Sequence, residues 1–238
     1  MHNTFITRHF DWTTGGSRRV RVINRVLRLL GTREWVRGPA STGYMTTVEM
    51  RMNLYHLLSQ VLAYDVPGEI LEVGTFTGET AVLLAKVLAG ESSRVGRALH
   101  VYDAFRPMWN SRDPRAQLAR NFDAFGLTQP HVHQGLFSET IPAELPERVA
   151  FVHLDCGFGG DPKEHADEIH RLLTHLYPRM SKGAICSLVD YTDASEVDRV
   201  TDANPGVKPG CDRFLADKPE KPSILYAAEY GHAYFRKM

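Results

Sequence analysis

Apolar residues along the chain recur in two periods, and the period changes at a few sharp places. From Met50, the positions Leu54, Leu57, Leu58, Val61 and Leu62 fall three and four residues apart and line one face of a helix. Thr46 with Glu49 three residues later predicts its capping box, and Pro67-Gly68 ends it. "EILEVGTFTGET" follows, with Ile70, Leu71 and Val73 as a short apolar strand, after which Ala81, Leu84, Ala85 and Leu88 return to the helical period. "ALHVYDAF" then reads as a strand ending in an acid, "PHVHQGLF" as a weaker strand, and "VAFVHLD" and "AICSLVDY" as strong ones. Ile169, Leu172, Leu173 and Leu176 mark a helix from Lys163 to Tyr177. Strands separated by helices predict a parallel sheet covered on both faces. "SILYAAE" and "HAYFRK", divided only by Tyr230-Gly231, predict a closing antiparallel hairpin, and "NPGVKPGCDRF" reads as a loop over the sheet.

The first forty residues differ from the rest, with eight arginines against Asp11 and Glu34. Ile23, Val26, Leu27 and Leu30 follow helical spacing with Arg25 and Arg28 turned away, which predicts an amphipathic helix. Such a helix packs on the domain or on another subunit, or else binds an anionic surface. The arrangement is therefore one core, residues 46–238, with a helical extension over residues 1–45 that favours a homo-oligomer. Across the chain 28 basic residues balance 28 acidic ones, so no global field attracts nucleic acid or membrane. No apolar run approaches the ~20 residues that cross a bilayer. Arginines interrupt any secretion signal, and Cys156, Cys186 and Cys211 are too few and scattered for a disulfide framework. A reducing, cytoplasmic setting follows as the expectation.

Chemistry is expected beyond the carboxyl ends of parallel strands, where crossovers change direction. Asp103, Asp155 and Asp190 each follow a predicted strand. Gly74 and Gly78 would let backbone approach a ligand at the first strand, although a plain strand-to-helix turn fits the same two glycines. The G-x-x-x-G spacing is not the nicotinamide fingerprint. Asp103, 25 residues beyond Gly78, is placed to accept both hydroxyls of a ribose, and Glu72, Gly74, Gly78 and Asp103 together form a nucleoside-binding arrangement.

These residues resemble the class I S-adenosylmethionine-dependent methyltransferases. More narrowly, "YMTTVEMRMNLYHLL", "VPGEILEVGTFTGET", "GLFSETIP", "HLDC", "LYPRMSKGA", "VDY" and "AYFRK" resemble the macrocin and mycinamicin O-methyltransferase family, which methylates deoxysugar hydroxyls of macrolides with a divalent metal, usually magnesium. The resemblance implies an α/β fold, a Rossmann-like doubly wound seven-stranded sheet, mostly parallel with a C-terminal antiparallel hairpin. It implies S-adenosylmethionine contacts from Glu72, Gly74, Thr75, Gly78, Thr80, Asp103 and Asp155, adenine recognition around Ser138, and metal ligation by Asp155 and Asp190. Two departures stand out. The family reads H-x-D-x-D-x-Y where this chain has His153-Leu-Asp155-Cys-Gly157-Phe-Gly159, and two adjacent acids where it has Val189-Asp190. Asp193 stands three residues on as a substitute ligand.

The expected activity is O-methylation of a sugar hydroxyl on a glycosylated natural product or nucleotide-activated deoxysugar, assisted by magnesium. Phenolic or catechol acceptors, and a cofactor-binding subunit without turnover, remain alternatives. A sugar hydroxyl is a very weak acid, so it needs activation and a base; Asp155 is the first candidate, and His153 is either a second or a plain buried histidine. The other histidines do not form a metal cluster, and His165, His170 and His175 are expected to be solvated. Tyr44 and Met45 belong to an expected lid, and Trp109, Phe122 and Phe125 line either an acceptor wall or the core. A bulky residue at Gly74 is expected to remove cofactor binding before it removes the fold.

Overall fold

The computed structural model describes residues 18–31, 46–90, 96–108, 111–157, 160–193, 204–228 and 230–238. Helix α1 (Arg18–Leu29) comes first, followed by α2 (Val48–Ala63), β1 (Glu69–Val73), α3 (Glu79–Gly90) and β2 (Leu99–Asp103). Next come α4 (Pro114–Ala124), β3 (His131–Gln134), α5 (Phe137–Ala143), β4 (Val149–Leu154), α6 (Pro162–Arg179) and β5 (Met180–Val189). The chain closes with α7 (Val207–Leu215), β6 (Ser223–Leu225) and β7 (His232–Arg236). The seven strands form one sheet in the order β3-β2-β1-β4-β5-β7-β6, parallel except where β7 joins β5 and β6. The expected architecture is borne out.

The sheet is legible because its central strands are continuous apolar runs, as burial on both faces demands. β4 is buried at every position and β1 at all but its first. Helices pack over the sheet in two connected groups, α2 with α3 and α3 with α4, then α5 with α6 and α6 with α7. Leu54, Leu58, Leu84, Phe122, Phe151, Leu172 and Phe235 sit in one core. Strand order reverses direction beside β1, with β2 and β3 to one side and β4 onward to the other, which opens the crevice at the carboxyl ends of β1 and β4.

Several local expectations are corrected. The cap of α2 is Thr47, whose side chain accepts from the Met50 N–H, because the neighbouring Thr46 hydroxyl is taken by Glu79. "VKPGCDRFL" is helix α7 rather than loop: Val207, Gly210, Cys211, Phe214 and Leu215 are buried at helical spacing against α6. In the hairpin β6 stops at Leu225, so its connection is longer than Tyr230-Gly231, though the antiparallel pairing Leu225 with His232 is as expected. His165 is buried, not solvated, and its Nε2 lies 3.0 Å from the carbonyl oxygen of Cys156. Helix α1 forms as expected, but the described residues do not cover its stripe: Ile23, Val26 and Leu30 are 42%, 48% and 70% exposed. Tyr44, Met45 and Trp109 lie outside the described residues.

Candidate active site

Tyr102, Val73, Leu154 and Leu188 lie side by side across β2, β1, β4 and β5. The residues that follow therefore share one rim: Asp103, Gly74, Asp155 and the pair Val189-Asp190. Two backbone bonds fasten it, from Gly74 N–H to the Tyr102 carbonyl (2.9 Å) and from Asp155 N–H to the Val73 carbonyl (2.9 Å). Gly74 has φ +88°, and a Cβ there would come within 1.9 Å of the Asp155 carbonyl oxygen. Only glycine allows this approach.

The β1–α3 turn is organised by acids. Glu72, 1% exposed, accepts the Thr75 hydroxyl at 3.0 Å. Burial pushes its carboxyl well above the usual range, repulsion from Asp155 and Asp103 adds to this, and the Thr75 bond opposes it. Asp103 clasps the turn: Oδ2 accepts from the N–H groups of Thr75 (2.9 Å) and Phe76 (2.7 Å), and Oδ1 from Phe105 N–H (2.6 Å). A carboxylate offers about four acceptor positions, so one beyond these three suits a ribose hydroxyl. Gly78, φ +83°, closes the turn through its N–H to the Thr75 carbonyl (2.8 Å), and Thr80 is buried in the first turn of α3. Ser138 stands exposed at the start of α5, beyond β3, whose end is tied to Asp103 by the Gly135 N–H. Glu72, Gly74, Thr75, Gly78 and Asp103 are thus drawn together, with Ser138 one strand away.

The second half of the rim is acidic and partly open. The Asp155 side chain is 26% exposed. Burial, then the charges of Asp190, Glu79 and Asp103, push its pKa up to about 7. His153 lies beneath it, fully buried, with Nε2 at 3.9 Å from Asp155 Oδ2, too far for a hydrogen bond. Neither ring nitrogen of His153 has a hydrogen-bond partner among the described residues. Burial, with the neighbouring His232, pushes it down to about 3, so the ring is neutral at pH 7. Asp190 is held in the left-handed region, φ +58°, with its N–H on the Gly231 carbonyl (2.8 Å) and its Oδ2 accepting from Asn204 Nδ2 (2.5 Å).

Sequence reasoning missed three residues here. Arg51, 2% exposed, pairs with Glu79 at 3.3 Å, and Glu79 also accepts from Thr46 at 3.1 Å. A charge beside the apolar face of α2 was the signal for Arg51. Asn204 had none, since its partner Asp190 is fixed only by the tertiary fold. Phe122 is wholly buried, which assigns it to the core, whereas Phe125 is 39% exposed beneath Lys86. A separate cavity of about 400 Å³, lined by Asp65, Glu69, Arg97, Glu147 and Arg148, lies at the opposite, amino ends of β1 and β4.

With this geometry in place, the chain was compared with known proteins. The profile described as "Macrocin-O-methyltransferase (TylF)" matches residues 21–204. The chain belongs to this family. A tetracenomycin relative from Streptomyces olivaceus, 8-demethyl-8-(2,3-dimethoxy-alpha-L-rhamnosyl)-tetracenomycin-C 4'-O-methyltransferase, is 29% identical over 185 residues, 69% of this chain and 67% of that protein. Mycinamicin III 3''-O-methyltransferase of Micromonospora griseorubida is 28% identical over 163 residues, 58% of this chain and 61% of that protein. The matches thus span about two thirds of these relatives' own length. Among solved structures, the O-methyltransferase NovP superposes with a TM-score of 0.65 at 19% identity, covering 92% of this chain and 98% of that one, which supports the fold. The family, the methyltransferase class and the use of S-adenosylmethionine expected from the sequence are borne out. In this TylF-family chain Gly157 and Val189 stand at the two positions where the resemblance of its motifs implies acids.

Proposed function

We propose that this TylF-family chain transfers the methyl group of S-adenosylmethionine to a sugar hydroxyl, on a glycosylated natural product or a nucleotide-activated deoxysugar. The observation that carries the reading is the rim on which the Asp103 clasp and the Asp155–Asp190 pair stand at the ends of neighbouring strands. The two relatives named for a rhamnosyl-tetracenomycin and for mycinamicin III support a glycoside acceptor. Donor contacts are assigned to Glu72, Gly74, Thr75, Gly78, Thr80, Asp103 and Asp155, with Ser138 on the adenine side. The Asp103 and Asp190 carboxylates, with Asp155 when it is ionised, lend the crevice negative charge. That favours a sulfonium donor over its neutral thioether product.

Transfer needs the acceptor oxygen in line with the methyl carbon, roughly 3 Å away and shielded from water. Without a cation beside it, Asp155, with a pKa raised to about 7, is matched to take the hydroxyl proton near neutral pH; as a ligand to a cation its pKa falls and its role becomes holding the ion. His153 serves as packing under Asp155, because a neutral ring pushed down to about 3 is a poor base. Asp155 and Asp190 are hard oxygen donors just beyond the ends of adjacent parallel strands, and His153 beside Asp155 has neither nitrogen hydrogen-bonded among the described residues; this arrangement fits a divalent cation. Magnesium held by these two residues would supply Lewis acidity to the acceptor hydroxyl. The missing second acid next to Asp190, where Val189 stands, is the one feature favouring the second reading, a cofactor-binding subunit without turnover.

The cysteines are free and buried, in keeping with a cytoplasmic protein, and the partner proposed for the exposed face of α1 is a second copy of the chain. Calorimetry is expected to show S-adenosylhomocysteine binding that Asp103→Ala abolishes. Turnover is expected on glycoside or sugar-nucleotide acceptors and not on catechols. Absence of binding to the wild-type chain sinks the reading; binding without turnover on any acceptor, with or without magnesium, selects the inactive subunit.

A further inference from the structure

Gly157 leaves space where the family's H-x-D-x-D pattern has a carboxylate. A Cβ built there would meet Asn204 first, with Oδ1 at 3.6 Å and Nδ2 at 3.8 Å. Asn204 comes from the turn just before α7, far from Gly157 in sequence, and its Nδ2 donates to Asp190 Oδ2. One amide therefore spans from Asp190 to the place of the lost acid. Its other end is a carbonyl oxygen, a hard neutral donor of the kind magnesium and manganese accept.

We propose that Asn204 supplies the third protein oxygen of the cation site, completing a set whose other members are Asp155 and Asp190. The inference rests on the divalent-cation reading above. A second observation points independently to a ligand: His153, 0% exposed, stands next to Asp155 with neither nitrogen hydrogen-bonded among the described residues. Two carboxylates and an amide balance a divalent charge, whereas the family's extra acids leave the site negative. This chain therefore holds its cation more weakly than a site with a third carboxylate, and a charge restored at position 204 strengthens it.

The test uses the full chain with saturating S-adenosylhomocysteine and no acceptor, titrated with manganese and followed by calorimetry and electron paramagnetic resonance. Asn204→Ala is expected to weaken manganese binding by about tenfold or more while leaving S-adenosylhomocysteine affinity unchanged, which also reports that the variant is folded. Asn204→Asp is expected to tighten it. If Asn204 only holds Asp190 in place, Asn204→Asp loses the N–H donor, sets two carboxylates together and weakens binding instead, overturning the proposal. Direct ligation has its own signature: Asn204→Cys titrated with cadmium is expected to give a thiolate charge-transfer absorption that the wild-type chain lacks. Unchanged manganese affinity in Asn204→Ala and Asn204→Asp, with Asp190→Asn abolishing it, overturns the role of Asn204 and leaves the cation reading standing. A wild-type chain that binds S-adenosylhomocysteine but no manganese overturns both.

Discussion

At Gly74 the backbone of β1 passes so near that of β4 that a single methyl group would collide with the Asp155 carbonyl. The sequence-based expectation was that a bulky residue here removes the cofactor before the fold, but the obstacle is backbone, and it belongs to the strand pairing itself. Gly74→Ala is therefore expected to lose fold stability and S-adenosylhomocysteine binding together, by roughly 3 kcal/mol in urea denaturation, from overpacking plus a strained φ. Gly78→Ala meets the Leu118 side chain, with Cδ1 at 2.1 Å, rather than backbone, and is expected to cost less, roughly 1–2 kcal/mol from repacking and its φ. Equal losses at the two positions would contradict this account. The contrast marks what a single residue discloses. Gly74, Asp103, Asp155 and Asp190 were legible because each follows an apolar strand, and strand ends announce themselves in the hydrophobic pattern. Arg51, Glu79 and Asn204 were not, since each acquires its partner through contacts between segments 14 to 33 residues apart.

Elements were legible in proportion to how much apolar surface they bury. β1 and β4 carry continuous apolar runs, whereas α7 has Pro209 and Gly210 in its middle, so turn-forming residues masked a helical stripe that only packing on α6 reveals. Strand β3 is the opposite case, a polar edge strand whose histidines interact across β2. His100 lies opposite His131 in register, their rings stacked at 4.8 Å, and its Nδ1 is 2.9 Å from His133 Nε2, which in turn has Nδ1 at 2.6 Å from Glu144 Oε2. Tyr102 stacks on His133 at 4.3 Å and completes the surroundings. Burial, then the neighbouring His133 and His131, push His100 down to about 4. A base whose folded pKa lies below its unfolded value gives stability that is complete above about 6.5 and is lost as pH falls toward 4. Thermal melts are expected to show His100→Phe losing less stability than the wild type between pH 6.5 and 4, with the two nearly parallel above pH 7. Parallel curves across the acid range would remove His100 as the cause.

For the molecule as a whole, α1 is the element whose apolar side chains are left most exposed among the described residues. Val22, Ile23, Val26, Leu29 and Leu30 are between 42% and 79% exposed, an apolar stripe larger than scattered surface residues need explain. Arg25 and Arg28 are exposed beside it. A second copy of the chain can bury that stripe against its own equivalent while both sets of arginines stay in water, the self-complementary pairing expected of a two-fold dimer. An anionic surface would instead engage the arginines and be weakened by salt. Sedimentation in high salt separates the two, because burial of apolar surface survives there. The wild-type chain is expected to sediment above its 26.8 kDa monomer mass, and the double variant Val26→Glu, Leu30→Glu to sediment as a monomer. S-adenosylhomocysteine binding is expected to persist in that monomer, since the donor clasp is assembled from β1, β2 and their own turns. A wild-type chain monomeric at micromolar concentration ends the case for self-association through α1; a dimer whose variant also loses the ligand would mean that the rim is completed from across the interface.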